Sequence, residues 1–162
     1  MQSITLDAID LQLLDLLQHD AAQSNQALAE RVHVSPPTCL RRVKRLHDVG
    51  LIERQVALLQ PDRLAALQGH GLSAIVEVTL DRQGAEWLDG FEARAVAEDC
   101  VQQCWRVSPG PDFMLVVHTR DMPGYLALSQ RLFTDDANVR NVKAFFATRR
   151  AKFETKVPLA LA

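Results

Sequence analysis

The chain has 162 residues, 48% hydrophobic and 23% charged, an ordinary globular composition with room for one medium domain or two small ones. A formal net charge of −2 and a pI near 6.2 exclude a nonspecific polycation, so any nucleic-acid binding must come from a local basic surface on an acidic body. No apolar run approaches the roughly 18 residues of a membrane span. The first ten residues lack the basic and apolar regions of a signal peptide, and the five scattered histidines lack metal-ligand spacing. Cys39, Cys100 and Cys104, with no CxxC pair, read as reduced thiols of a cytoplasmic protein.

Residues 6–18 are strongly helical. Leu6, Ile9, Leu13 and Leu16 or Leu17 form the expected buried stripe, and Asp7, Asp10 and Asp15 are expected to point outward, the first two favouring the positive end of the helix dipole. A second helical pattern follows, with Leu28 and Val32 as its apolar edge and Ser24 or Asn25 as its cap. After a tight break, Ser35-Pro36 starts a third: a hydroxyl to accept an orphan N–H, then a proline where no N–H is needed. Cys39, Val43 and Leu46 give it an inward stripe, Cys39 serving as core packing. Thr38, Arg42 and Arg45 share another face, with Arg41 at its edge. Residues 1–30 contain no Lys or Arg, whereas Arg31, Arg41, Arg42, Lys44, Arg45 and Arg54 crowd the next two dozen.

A basic cluster alone is an ordinary solvated face. Here the Ser-Pro start, the tight turn and an apolar face opposite the arginines turn the reading to a helix-turn-helix whose second helix enters the DNA major groove. Gly50 ends that helix as a left-handed cap. Leu51-Ile52 and residues 56–59 suggest a two-stranded wing with Arg54 at its tip, within reach of phosphate. Ser35 and Thr38 lie near base edges, Arg41, Arg42 and Arg45 are candidates for phosphates or guanines, and Asn25 and Arg54 anchor the DNA backbone on either side.

Residues 60–71 carry a proline at one end and two glycines at the other and read as a linker, with room for a helical turn. Beyond it the pattern changes. Residues 73–80 alternate as a strand and residues 85–97 form a helix carrying Trp87, Leu88, Phe91 and Ala95. Residues 101–107 and 113–119 are two more strands around a Ser-Pro-Gly-Pro-Asp turn. Asp121 caps a helix to about Phe133, residues 139–148 are the fourth strand, and the tail continues as an irregular one. The expected fold is therefore α+β: a winged helix-turn-helix over residues 1–60, a linker over 61–71, and a ferredoxin-like βαββαβ sandwich over 72–162. Both helices of such a sandwich cover one sheet face. Trp105 and either Phe145 or Phe146, depending on register, would lie on the other, an apolar patch that predicts sheet-to-sheet dimerisation.

Over almost its whole length the chain resembles the leucine-responsive regulatory protein/AsnC (feast/famine) transcription regulators. Residues 6–32 and 35–61 carry the resemblance, with Val107-Ser108, Asp112-Phe113 and Asp121-Met122 following in the right order. The resemblance implies a DNA-binding regulator without catalytic residues, metal or cofactor. It implies a homodimer able to assemble further, to octamers, and a sensing domain that binds an amino acid, commonly leucine, between subunits. Two positions depart from the family pattern. His33 stands where the turn usually has Gly, and Pro109 stands where the effector loop has Gly, removing an N–H. By the same correspondence Ser108, Gly110 and Asp112 line the effector site and Met122 and Phe145 form its apolar wall. Asp112 is read two ways, as a partner for an α-ammonium or as a turn-forming aspartate. A rival implication is enzymatic: siroheme decarboxylases are similar to this family in both domains, and His70, His118, Arg149 and Arg150 are available. The strongly basic third helix argues for the regulator.

Overall fold

Asp7 starts the first helix. The computed structural model, which describes residues 5–69 and 71–160, shows its carboxylate accepting from the Asp10 N–H at 2.9 Å while the Asp10 carboxylate accepts from the Asp7 N–H at 3.3 Å. That reciprocal cap satisfies two donors the helix would otherwise leave bare. Helix α1 (Ala8–His19) is followed by α2 (Asn25–Arg31), capped by Ser24 through the Ala27 N–H. Helix α3 (Pro36–Asp48) completes the set. Leu13, Leu17, Leu28, Ala29, Val32, Cys39 and Leu46 form the core of this unit.

Helices α2 and α3 end in the same way. After α2, the Val34 N–H reaches the Ala29 carbonyl and the His33 N–H the Glu30 carbonyl; after α3, the Leu51 N–H reaches Leu46 and the Gly50 N–H reaches His47. Both are Schellman turns, which need a left-handed residue at the pivot. Gly50 supplies it at φ 75°, and His33 supplies it at φ 55° despite its Cβ.

Three expectations for this region are corrected. The wing is not formed: residues 53–60 carry no strand, and Val56, Leu58 and Leu59 are exposed. Asp10 does not point outward but is 1% exposed. The Ser35 hydroxyl caps no N–H and instead hydrogen-bonds the Thr38 hydroxyl at 2.9 Å. The tail is not a strand either. It belongs with the first of two units, Met1–Leu58 with Lys152–Ala162, the second being Leu59–Ala151. The Gln18 side chain donates to the Val157 carbonyl and accepts from its N–H, at 3.1 and 2.9 Å.

In the second unit the expected linker contains a two-turn helix, α4 (Pro61–Gln68). Then come β1 (Leu72–Leu80), α5 (Ala85–Ala97), β2 (Val101–Arg106), β3 (Phe113–Thr119), α6 (Met122–Ser129) and β4 (Val139–Phe146). Helix α6 runs on through one π-helical turn, Gln130–Thr134, closed by Asp135 N–H to the Gln130 carbonyl. The sheet order is β2-β3-β1-β4 with every pairing antiparallel, which is the ferredoxin-like arrangement. Ala74, Val76, Val78 and Leu80 of β1 and Phe113, Leu115 and Val117 of β3 pack with Phe91, Ala95, Leu128 and Leu132 in a wholly apolar core. Trp87 is partly exposed, with the Arg82 guanidinium 4.9 Å from its ring centroid.

Register decides the other sheet face. Phe145 pairs with Ile75 and Trp105 with Met114, so all four turn away from the core. Phe146 pairs with Ala74 on the core side and meets Tyr125 edge-on at 5.0 Å. Within this unit Ile75, Trp105 and Phe145 are left 45, 59 and 52% exposed.

Candidate nucleic-acid interface

Helix α3 owes its orientation to three neighbours. Its inward stripe, Cys39 and Leu46, is fully buried, and burial pushes the Cys39 thiol up, away from the reactive thiolate. Its start is tied to α2, because the Asn25 side chain donates to the Pro36 carbonyl at 2.8 Å. Its flank is tied to α1. Arg42 Nη1 lies 2.8 Å from Asp7 Oδ2 and 2.9 Å from Asp10 Oδ1, and Arg45 Nη2 binds Asp10 Oδ2. Arg42 is held in its charged form by Asp7 and then Asp10, and its Nε is buried. The carboxyl of Asp7 is held below its ordinary value by the Asp10 N–H first and Arg42 second.

The arginines therefore divide. Arg42 and Arg45 pair with carboxylates of α1, Arg42 half-buried and Arg45 still exposed, an engagement the helical spacing alone does not show. Arg41 and Lys44, one helical turn apart, are exposed on the side opposite Cys39 and Leu46. Ser35 is exposed and Thr38 half-buried at the start of the same helix. Asn25 is used inside the unit. Arg54 is exposed on the extended segment after α3, 3.8 Å from Glu53. Sequence reasoning missed Asp10 and omitted Lys44. The spacing Asp10, Leu13, Leu17 (i, i+3, i+7) is the signal that could have exposed the first, since it places the carboxylate on the buried stripe.

The proposed effector residues are not brought together within one copy. Ser108, Gly110 and Asp112 lie in the turn before β3, beside the end of β1; Ser108-Pro109 is a cis peptide and Gly110 has φ 126°. Met122 opens α6 just past the far end of β3, and Phe145 pairs near the start of β1. The seven residues of β3 separate the turn from Met122, about 20 Å at the usual rise per residue, while Phe145 is level with Val116 at the middle of β3, two strands away on β4. Asp112 joins the turn to the end of β1. One carboxylate oxygen accepts the Leu80 N–H at 2.6 Å, and its own N–H and carbonyl bind Val78 and Val107. Of the residues named for the enzymatic reading, His118 hydrogen-bonds Ser73 at 2.9 Å on the open sheet face. His70 lies outside the described residues.

Residues 6–47 match the AsnC-type helix-turn-helix domain and residues 73–157 the Lrp/AsnC ligand binding domain. The DNA-binding transcriptional activator DecR of Escherichia coli is 34% identical over 154 residues, covering 95% of this chain and 99% of its own. The leucine-responsive regulatory protein of Rhizobium meliloti is 34% identical over 156 residues, covering 96% and 97%. Among solved structures, the transcriptional regulator NMB0573 of Neisseria meningitidis, in complex with L-Met, superposes with a TM-score of 0.83 at 29% identity, covering 96% of this chain and 98% of its own. With two matched domains in order on a helix-turn-helix unit and a ferredoxin-like sheet, the chain belongs to the Lrp/AsnC family of DNA-binding transcriptional regulators.

Proposed function

We propose that this regulator reads double-stranded DNA as a homodimer, with α3 of each copy in the major groove of one half-site. The observation that carries the reading is the outward pair Arg41 and Lys44 on a helix whose opposite side is anchored in a core. Ser35 and Thr38 at its start lie nearest the base edges, and Arg54 adds a phosphate contact from the segment that follows. Residues 1–60 form the DNA-binding domain and residues 72–162 the sensing and pairing domain of a cytoplasmic protein. No helix among the described residues is long and apolar enough to cross a membrane.

The open sheet face supports pairing. Ile75, Trp105 and Phe145, flanked by the half-buried Met114 and Val116, make a contiguous apolar surface, of the kind monomers rarely leave in water. A second copy is the occupant that also supplies the second recognition helix. Pairing further bears on the effector. Ser108, Gly110 and Asp112 can meet Met122 and Phe145 only if one group comes from another copy, so an amino acid would bind between subunits, in a dimer or in an octamer built from it. The L-Met complex of a relative supports an amino-acid ligand here. Pro109 and the engaged Asp112 carboxylate favour a specificity different from that of family members with Gly in this loop.

Nuclease protection on the DNA upstream of the protein's own gene tests the reading. Two protected half-sites, centres one or more helical turns apart, are expected, and W105E should sediment as a monomer and lose the joint protection. Absence of any footprint, together with a haem-like absorption band in the purified protein, would instead favour the siroheme-decarboxylase-like reading. Calorimetry against the twenty amino acids tests the effector: heat for at least one is expected, and none for all twenty would remove it.

A further inference from the structure

Helix α3 carries four cations, Arg41, Arg42, Lys44 and Arg45, of which Arg41 and Lys44 are exposed, while Arg42 and the 45% exposed Arg45 are ion-paired to α1. The latter two meet one side chain. Asp10 is 1% exposed, and both its oxygens are spent: Oδ1 on Arg42 and Oδ2 on Arg45 and the Asp7 N–H. Asp7 adds a second carboxylate to Arg42. A carboxylate in the core of a three-helix unit is costly to bury, and an apolar residue would hold α1 to α3 at least as well. Holding the two helices together therefore does not by itself call for a carboxylate at this position.

The electrostatics of DNA binding supply a reason. Each phosphate neutralised by a protein cation releases condensed counterions and adds about 0.9 to the slope of log affinity against log salt, whatever the base sequence. A reading helix with four free cations would bind any duplex tightly. Specific regulation depends on the ratio between operator and random DNA, because random sites vastly outnumber the operator. Two arginines already paired with carboxylates contribute less to that nonspecific term.

We propose that Asp10 is a specificity-determining positioning residue: it draws the guanidinium groups of Arg42 and Arg45 along α1, fixes the rotation of α3 about its axis, and so leaves Arg41 and Lys44 as the α3 cations unpaired with α1 and directed at DNA phosphates. The inference rests on the reading that α3 is the helix in the groove.

Titration of a random-sequence duplex and of the footprinted operator across a salt series, followed by fluorescence anisotropy, tests it with the full-length protein. In D10N the freed Arg45, and with it part of Arg42, should steepen the salt slope on random DNA by about 0.9 to 1.8, raise random-duplex affinity severalfold and lower the operator-to-random ratio. The double variant D10N/R45Q should return most of the way to the parent slope. An unchanged or shallower slope in D10N overturns the inference and leaves Asp10 as a bolt between two helices. If D10N proves unfolded by circular dichroism, single variants decide: R45Q should hardly move the slope while R41Q lowers it by about 0.9, and equal drops for both would overturn the inference. R41Q also separates the two levels of the argument. No effect of R41Q on either duplex would refute α3 as the DNA helix, whereas an effect of R41Q with none of D10N refutes only the role given to Asp10.

Discussion

The two units of this chain hold their shapes by different means. The sheet unit relies on burial. Its core is continuous and apolar, with Phe91 and Phe113 tilted against each other at 4.8 Å between centroids, and its ion pairs, such as Arg106 with Asp89 and Glu92 or Arg131 with Glu98, stay on the surface. The helical unit is smaller and buries far less. It compensates with fitted polar parts: a reciprocal cap, two Schellman turns and a carboxylate bridge from α1 to α3. In the first case the polar groups are incidental to the fold, while in the second they tie α3 to its neighbours.

Truncating each unit at its centre should therefore have unequal consequences. The largest loss is expected for Phe113→Ala, about 3–5 kcal/mol, read as a lowered urea midpoint of the sheet unit by circular dichroism. A loss under a third of that would mean the sheet core is not the rigid element described. Next comes Arg42→Ala, which leaves one oxygen of the buried Asp10 carboxylate without its partner while Arg45 keeps the other, and should cost the helical unit about 1–3 kcal/mol. The same variant has a pH signature. Asp7 titrates below its ordinary 3.8 in the folded chain, so its contribution is present above that value and is lost as pH falls through the depressed one. R42A should weaken this acid dependence without abolishing it, because the Asp10 N–H remains. An unaltered acid profile would dissociate Asp7 from Arg42. The smallest effect is a gain. His33→Gly relieves a left-handed Cβ and should stabilise the helical unit by roughly 0.5–1 kcal/mol, visible as a raised melting temperature; a loss would mean the imidazole makes a contact worth more than the strain.

The comparison also explains what could be read in advance. In the sheet unit, strict alternation and turn residues placed all four strands within two residues of their observed ends, and the expectation of an uncovered face needed only the register to choose Phe145 over Phe146. The periodicity of α1 was equally plain, but a rule that sends every aspartate outward fails at Asp10, whose partners lie more than thirty positions away. The ion pairs of Arg42 and Arg45 with α1 were hidden for the same reason: helical spacing shows which residues share a face, and not which neighbour pairs with it. The wing was drawn from short apolar runs at residues 51–59 that pair with nothing in their unit. The effector residues came from family correspondence, and only the topology reveals that the Ser108–Asp112 turn and Met122 sit at opposite ends of β3, with Phe145 level with its middle.

Everything functional turns on the outward side of α3. Fluorescence anisotropy of the parent and Arg41→Ala on the footprinted operator tests this most directly. The account predicts a loss of about 1–3 kcal/mol, roughly fivefold to more than a hundredfold in affinity, with the fold intact by circular dichroism. An Arg41→Ala protein that binds the operator as tightly as the parent would contradict it.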